Sequence, residues 1–263
     1  MNKVIRRVFD CHCHIIDPRF PLIANQGYIP SSFTCKDYLT QVKDINVVSG
    51  SIVSGSFQGY DQKYLTASLA TLKNWVGVAQ VPDTITDEEI INLKNAGVRA
   101  CRFNLYRGST PTNVVDDIVT LATRCYKVAG WHCEFYVDAY TMKEHVSRLS
   151  RLKKFSIDHL GMTGHGLPVL LDLIDAGAKV KATGFGRVID MDIPKVLEAI
   201  TSRNENALMF GTDLPSTRAK RPFQVDDIDL IVKVLGNDII CQKVLWDNAV
   251  EFYKPNLEKL HSC

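Results

Sequence analysis

Long apolar runs are missing from this sequence. No stretch approaches the roughly 18 uncharged apolar residues that a membrane-spanning helix needs. The basic residues near the beginning are not followed by the apolar segment of a signal peptide. We therefore expect a cytoplasmic protein that does not bind membranes.

Dense basic segments are missing as well. The chain has 31 Lys and Arg residues against 29 Asp and Glu residues, a formal net charge of +2. Proteins that bind nucleic acids depend on clustered cationic side chains. This charge distribution argues against a nucleic-acid partner.

Cys-x-x-Cys pairs are also absent, although the chain has eight cysteines. Their scattered positions argue against a redox motif or a zinc ribbon, and we expect reduced thiols packed as small apolar residues. A Gly-x-Gly-x-x-Gly motif is missing after the first predicted strand. The sequence therefore does not indicate a dinucleotide site.

What the sequence does contain is a regular alternation of predicted helices and strands. Gly97, Gly130 and Gly177 each end an amphipathic stretch and precede a strand-like run, as glycines at helix C-termini do. Thr86 with Glu89, and Thr141 with Glu144, have the spacing of a capping box at a helix start. The predicted strands are Val8–His14, Val47–Val53, Trp75–Val81, Val98–Asn104, His132–Asp138, Phe155–His159, Lys179–Thr183 and Ala207–Gly211.

Eight such units predict an α/β fold, a (β/α)8 TIM barrel in which residues 1–263 form a single domain. A doubly wound open sheet is the alternative. A helix is also predicted over Asp238–Tyr253.

His12 and His14 carry the first candidate site. Side chains alternate along a strand, so both imidazoles point to one face and Cys11 and Cys13 to the other, which argues against a zinc finger. The end of a first barrel strand faces the mouth where barrel enzymes work. The alternative is a pair of structural histidines.

Two further candidates lie at the ends of other strands. Asp213 follows the eighth predicted strand in Gly-Thr-Asp-Leu-Pro, and His159 ends the sixth. In a closed barrel they meet the histidines of the first strand at one rim. The alternatives are an aspartate that caps a turn and a packed core histidine; His132 is expected to be such a core histidine near the barrel floor.

Together these segments resemble a known family. The His-x-His of the first strand, Gly-Val-Arg-Ala-Cys-Arg-Phe-Asn (97–104), Ile-Asp-His-Leu-Gly (157–161), Gly-Thr-Asp-Leu-Pro (211–215) and Asp-Asn-Ala-Val-Glu-Phe-Tyr (247–253) are similar to the amidohydrolase-related ("amidohydrolase 2") family. The resemblance covers nearly the whole chain and is greatest to the lactonase branch, which includes 2-pyrone-4,6-dicarboxylate lactonase.

The resemblance implies a hydrolase that opens a lactone or a similar cyclic ester of a small carboxylate-bearing molecule. It implies that Asp213 activates water and that His12, His14 and His159 polarise the lactone carbonyl. By their positions in the motifs, the residues that bind substrate are Ser56, Arg102, Tyr136 and Arg187.

One departure from the family pattern concerns anion binding. Met162 stands where an arginine is expected after the histidine of the sixth strand. A basic loop follows Asp213, and we expect its Arg218 to replace the missing substrate ligand.

The sequence does not decide whether the protein binds a metal cofactor. His12, His14 and Asp213 could hold one divalent metal, zinc or manganese, and the lactonase branch includes members with and without a metal. One alternative function is a metal-dependent non-oxidative decarboxylase of an aromatic or unsaturated acid. The other is a non-catalytic barrel that binds a small acid.

Overall fold

Eight parallel strands form one sheet whose order is the order of the chain. The computed structural model describes residues 6–106 and 114–257. The strands are β1 (Val8–Cys13), β2 (Val47–Val53), β3 (Val76–Ala79), β4 (Val98–Asn104), β5 (His132–Tyr136), β6 (Phe155–Ile157), β7 (Ala178–Ala182) and β8 (Leu208–Phe210). Each predicted strand overlaps an observed one, so the barrel prediction is confirmed and the doubly wound alternative is wrong. The boundary of a single domain at residues 1–263 stays a prediction.

The barrel closes between its last strand and its first. Just beyond β8, the Asp213 amide donates to the His12 carbonyl, and the His14 amide donates to the Leu214 carbonyl, both at 2.7 Å. These bonds place the residues that follow β8 directly beside the His-x-His segment.

Helices cover the outside of the barrel. They are α1 (Cys35–Gln41), α2 (Lys63–Thr71), α3 (Asp87–Asn95), α4 (Val114–Ala129), α5 (Val146–Leu149), α6 (Leu167–Asp175), α7 (Ile193–Arg203), α8 (Asp226–Leu235), α9 (Asp238–Gln242) and α10 (Asn248–Tyr253). Within the described ranges, no helix has the length and apolar character required to cross a membrane.

Two helix predictions are corrected. Thr86 and Glu89 do form a capping box on α3, but Thr141 does not start a helix. The preceding Asp138 accepts from the Tyr140 amide at 3.0 Å and begins a 3₁₀ segment, so the regular helix starts only at Val146. The predicted helix Asp238–Tyr253 is interrupted by a π-helical turn over Lys243–Asp247.

The barrel floor is closed by the last helix. His132 is buried on β5, its ring centroid lies 4.1 Å from that of Phe252, and its Nε2 lies 3.1 Å from Glu134 Oε1. The Tyr253 hydroxyl donates to the same carboxylate oxygen at 2.5 Å. His132 is thus the packed, hydrogen-bonded core histidine that the sequence predicts.

His132 also makes stability depend on pH. Burial lowers its pKa from 6.5 to about 4, although the Glu134 carboxylate opposes this shift. Between these two pH values the unfolded chain binds more protons than the folded chain. The contribution of neutral His132 to the free energy of unfolding is therefore fully present above pH 6.5 and is lost as the pH falls towards 4.

We expect this one group to lower the free energy of unfolding by about 3 kcal/mol between pH 7 and pH 4. His132→Gln keeps an N–H donor for Glu134 but cannot titrate, so it should remove much of that loss. Urea unfolding of both proteins at several pH values measures the difference. His14 and His159 have lowered pKa values too and leave a residual slope. An unchanged slope in His132→Gln would contradict the assignment.

Candidate active site

Three imidazoles and one carboxylate converge at the carboxyl ends of the strands. Asp213 Oδ1 lies 3.8 Å from His12 Nε2, 3.9 Å from His14 Nε2 and 4.0 Å from His159 Nε2. All four side chains are buried. The structure therefore brings together the residues that the sequence singles out, while their catalytic roles stay predictions.

The backbone is strained where it delivers two of these side chains. His159 and Asp213 have φ angles of 50° and 60°, a left-handed conformation that costs a residue with a Cβ of order 1–3 kcal/mol. Gly184 lies against both, and a Cβ on it would come within 2.7 Å of His159 Nδ1 and 3.3 Å of Asp213 Oδ2. The site thus needs glycine at position 184.

Arg187 occupies one oxygen of the Asp213 carboxylate. Its Nε and Nη2 donate to Asp213 Oδ2 at 3.0 and 2.6 Å. Burial opposes the charged form of Arg187, but the adjacent carboxylate outweighs it and raises the pKa, so the guanidinium stays charged. Asp213 Oδ1 makes no hydrogen bond within the described part of the chain. Only Oδ1 is therefore available to a ligand.

The hydrogen bonds of His14 determine which of its nitrogens carries the hydrogen. Nδ1 lies 2.7 Å from the Val53 carbonyl oxygen, which can only accept. Burial lowers the pKa of His14 well below 6.5, so the ring is neutral. The hydrogen is then on Nδ1, and Nε2 presents a lone pair to the site.

The other two rings face different partners. His159 Nδ1 lies 2.7 Å from the Thr183 hydroxyl, which can donate or accept. His12 Nδ1 lies 3.2 Å from the ammonium of Lys181, which can only donate. This contact favours the form of His12 with its hydrogen on Nε2, against the Asp158 Oδ1 that lies 3.5 Å from the same Nδ1.

This proton arrangement does not fit a metal ion held by His12, His14 and Asp213. The ligand atoms that lie within 4.8 Å of one another belong to His12, His159 and Asp213, so His14 is not in that group. An imidazole binds a metal through a nitrogen lone pair, so an ion at His12 Nε2 would put the ring hydrogen on Nδ1, which faces the Lys181 ammonium at 3.2 Å. Asp213 is already paired with Arg187. A divalent ion would add uncompensated charge to a buried site, at a cost of several kcal/mol.

The residues predicted to bind substrate line one small cavity beside this cluster. It has a volume of about 40 Å³ and is lined by all five, together with His14 and His159: Ser56, Arg102, Tyr136, Arg187 and Arg218. A neighbouring cavity of about 520 Å³ shares four lining residues with it: Asn25, Ser56, Arg102 and Asn104. The site therefore opens sideways into a larger space.

The other two arginines of the cavity are, like Arg187, held by protein groups. Arg102 donates to Asp158 Oδ2 through Nε at 3.3 Å and Nη2 at 3.1 Å. Arg218 donates to the Asn25 carbonyl, and its guanidinium lies 4.4 Å from the Tyr28 ring centroid. Arg218 thus joins the loop after β8 to the loop after β1 at the cavity mouth, and its contact with substrate stays a prediction.

Sequence reasoning missed the polar residues that support the histidines. Lys181, Glu134 and Asp158 are fully buried inside the barrel below His12. The available signal is the alternation in β7. Lys179 and Lys181 lie on one face of the strand, and its apolar residues lie on the other. Lysines on a strand are ordinarily exposed, so only the barrel geometry distinguishes the interior position.

Comparison with known proteins identifies the family of this chain. A model of the amidohydrolase family matches residues 9–254. This chain belongs to the amidohydrolase family. The resemblance inferred from the motifs is confirmed.

Several known proteins resemble the chain along most of its length. A 2-pyrone-4,6-dicarboxylate hydrolase of Comamonas testosteroni is 24% identical over 275 residues, which cover 94% of this chain and 90% of that protein. A crystal structure from Acinetobacter baumannii, named for 2-pyrone-4,6-dicarboxylic acid hydrolysis and holding citric acid, superposes with a TM-score of 0.81 at 20% identity over 94% of this chain and 99% of its own. A structure from Agrobacterium tumefaciens gives 0.83 at 19% identity over 95% and 96% of the two chains.

The proton arrangement predicts the metal content of this amidohydrolase. Protein purified from medium supplemented with zinc and manganese should hold well under one ion per chain, because Lys181 opposes the form of His12 that binds metal through Nε2 and Arg187 already pairs with Asp213. Elemental analysis measures this, and a chelator should leave the unfolding temperature unchanged. A stoichiometric ion that is lost in His12→Asn would contradict the prediction.

Proposed function

We propose that this amidohydrolase opens a lactone, or a similar activated cyclic ester, of a small molecule that carries a carboxylate. One observation carries the proposal: Asp213 offers a single free oxygen to a space bounded by three histidines, beside a cavity lined by arginines. The names of its relatives support it.

Asp213 and His14 are suited to bind the attacking water. Asp213 Oδ1 and His14 Nε2 lie 3.9 Å apart, and both accept hydrogen bonds. A water molecule that donates to both has its oxygen lone pair directed away from them, towards a bound carbonyl carbon. Asp213 then takes one proton as the water oxygen bonds to that carbon.

His12 is suited to stabilise the oxygen of the carbonyl. Its Nε2–H makes no hydrogen bond inside the described ranges, so it can donate to the oxyanion that forms when water adds. The tetrahedral intermediate collapses when the ring C–O bond breaks. Asp213 returns its proton to the departing alkoxide, which gives a hydroxy acid and restores the enzyme.

The charge of the cavity favours an acidic substrate. Arg102, Arg187 and Arg218 line it, and guanidinium groups bind carboxylates through paired hydrogen bonds. A ring does not fit in 40 Å³, so the reacting carbonyl occupies the small cavity and the rest of the substrate extends into the larger one. The citric acid held by a related structure supports this class of ligand.

The two alternative functions have less support. A metal-dependent decarboxylase needs an ion that the protonated His12 Nε2 disfavours. A binding protein without catalysis has no use for a carboxylate oxygen held unpaired among imidazoles, since an unsatisfied buried acceptor costs stability.

Asp213→Asn tests the proposed base. The amide keeps the volume of the side chain but cannot take a proton, so kcat for a carboxylated lactone should fall by about 10²–10⁴-fold, the range for a positioned general base. Asp172→Asn, on the exposed face of α6, is the matched control and should leave kcat unchanged. Steady-state kinetics over a panel of pyrone carboxylates and sugar-acid lactones measures both. Turnover of Asp213→Asn within a factor of ten of the parent would rule out this base.

Arg218→Ala tests the predicted carboxylate contact. KM for an acidic lactone should rise about ten-fold or more, which corresponds to roughly 1.5–3 kcal/mol for a charged hydrogen bond, while an uncharged lactone should be unaffected. Tyr28→Leu removes the stacking partner of Arg218 but keeps its charge, so it separates loss of charge from loosening of the loop. If Tyr28→Leu reproduces the whole effect, or if both substrates respond equally, Arg218 does not bind the carboxylate.

A further inference from the structure

Below His12 lies a buried ionic cluster that the mechanism above does not explain. Lys181 projects from β7 into the barrel, and Glu134 of β5 and Asp158, just after β6, flank it. All three side chains, like that of His12, have no exposed surface. Lysine is rarely fully buried, so this arrangement calls for a reason.

Two carboxylates and one imidazole surround the ammonium of Lys181. It donates to Glu134 Oε2, lies 3.2 Å from Asp158 Oδ1 and lies 3.2 Å from His12 Nδ1. Burial disfavours the charged form, but the two carboxylates outweigh burial and raise the pKa of Lys181. The group is therefore an ammonium, which can only donate.

The ammonium discriminates between the two neutral forms of His12. With its hydrogen on Nε2, the ring offers Nδ1 as an acceptor to Lys181. With its hydrogen on Nδ1, the N–H would face the ammonium at 3.2 Å, and its nearest carboxylate oxygen, Asp158 Oδ1, lies farther away at 3.5 Å. The second form exchanges the bond from Lys181 for this longer contact with Asp158 Oδ1, and it places two donors against each other.

The cluster is also connected to the cavity wall. The other oxygen of Asp158 accepts from Arg102, whose guanidinium lines the cavity. Glu134 also binds His132 and Tyr253 of the barrel floor. Lys181 is thus fixed from three sides, and so is its position relative to His12.

We infer that Lys181 is a positioning residue: it holds His12 as the Nε2–H form, directed at the carbonyl oxygen of the substrate. This inference rests on the proposed lactone hydrolysis. His14, two residues further on, has the opposite form because of the Val53 carbonyl. One His-x-His segment therefore supplies a hydrogen-bond donor to the oxyanion and an acceptor to the water.

The first test reads the ring directly. Two-bond ¹H–¹⁵N correlation spectra of the histidine side chains distinguish the two neutral forms, and His12→Gln identifies the His12 signals. The parent protein should show His12 as Nε2–H and His14 as Nδ1–H. A parent protein with His12 as Nδ1–H overturns the inference without any variant of Lys181.

The second test removes the ammonium at constant net charge. Lys181→Met combined with Glu134→Gln should shift His12 towards Nδ1–H and lower kcat about 10- to 100-fold, because removal of one oxyanion donor costs about 10²–10³-fold. KM should change little, since Lys181 does not contact substrate. Glu134→Gln alone keeps the ammonium beside His12 and is the control for the ring form, which should stay Nε2–H. Lys179→Met, on the same face of β7 but bonded to the Asn206 carbonyl, is the control for kcat and should leave it unchanged.

The outcomes separate this inference from the proposed function. Unchanged kcat and an unchanged ring form in the folded double variant overturn the role of Lys181. If the parent chain opens no lactone, every variant is equally inactive, and the proposed function fails, while the ring form still responds to loss of Lys181. A double variant that does not fold leaves the measurement on the parent protein decisive.

Discussion

An ammonium sealed from water has to be surrounded by acceptors, and this requirement shapes the interior of the barrel. Lys181 meets it with a carboxylate from β5, a carboxylate at the end of β6 and an imidazole from β1. Removal of one partner from such a cluster leaves an unpaired buried charge, which costs several kcal/mol. This single positive charge thus connects residues from four strands or strand ends and orients His12.

The same logic extends to the rim. Arg187 holds one oxygen of Asp213, and the Val53 carbonyl holds the Nδ1 hydrogen of His14. Each of these contacts leaves one defined atom facing the site. The left-handed backbone at His159 and Asp213 is the cost of that orientation, and hydrogen bonds across the closing seam offset part of it.

Much of this could be predicted from the sequence because two signals are local. Glycine at helix ends and alternation along strands identify the barrel, and they place His12, His14, His159 and Asp213 at one rim. The partner of a charged side chain is not a local property. Arg187 fits the motif of a substrate ligand, yet the structure pairs it with Asp213, 26 positions away. Lys181 looks like an exposed strand lysine until the sheet closes around it.

The failed helix start at Thr141 has a similar origin. Its spacing to Glu144 is correct, but Asp138 lies three residues earlier and also accepts from Thr163 at 2.7 Å, across the sequence. A tertiary contact thus selects between two local capping signals. Asp138, which also binds Thr163 after β6, therefore starts the helical segment in place of Thr141.

The seam between β8 and β1 gives these residues a second property. The hydrogen bonds that complete the cylinder run between Asp213 and His12 and between His14 and Leu214. The barrel therefore joins its last strand to its first through the backbone of the residues that face the ligand. A molecule whose last strand has not docked has no assembled site. The rate at which turnover recovers during refolding therefore reports the rate at which the barrel closes.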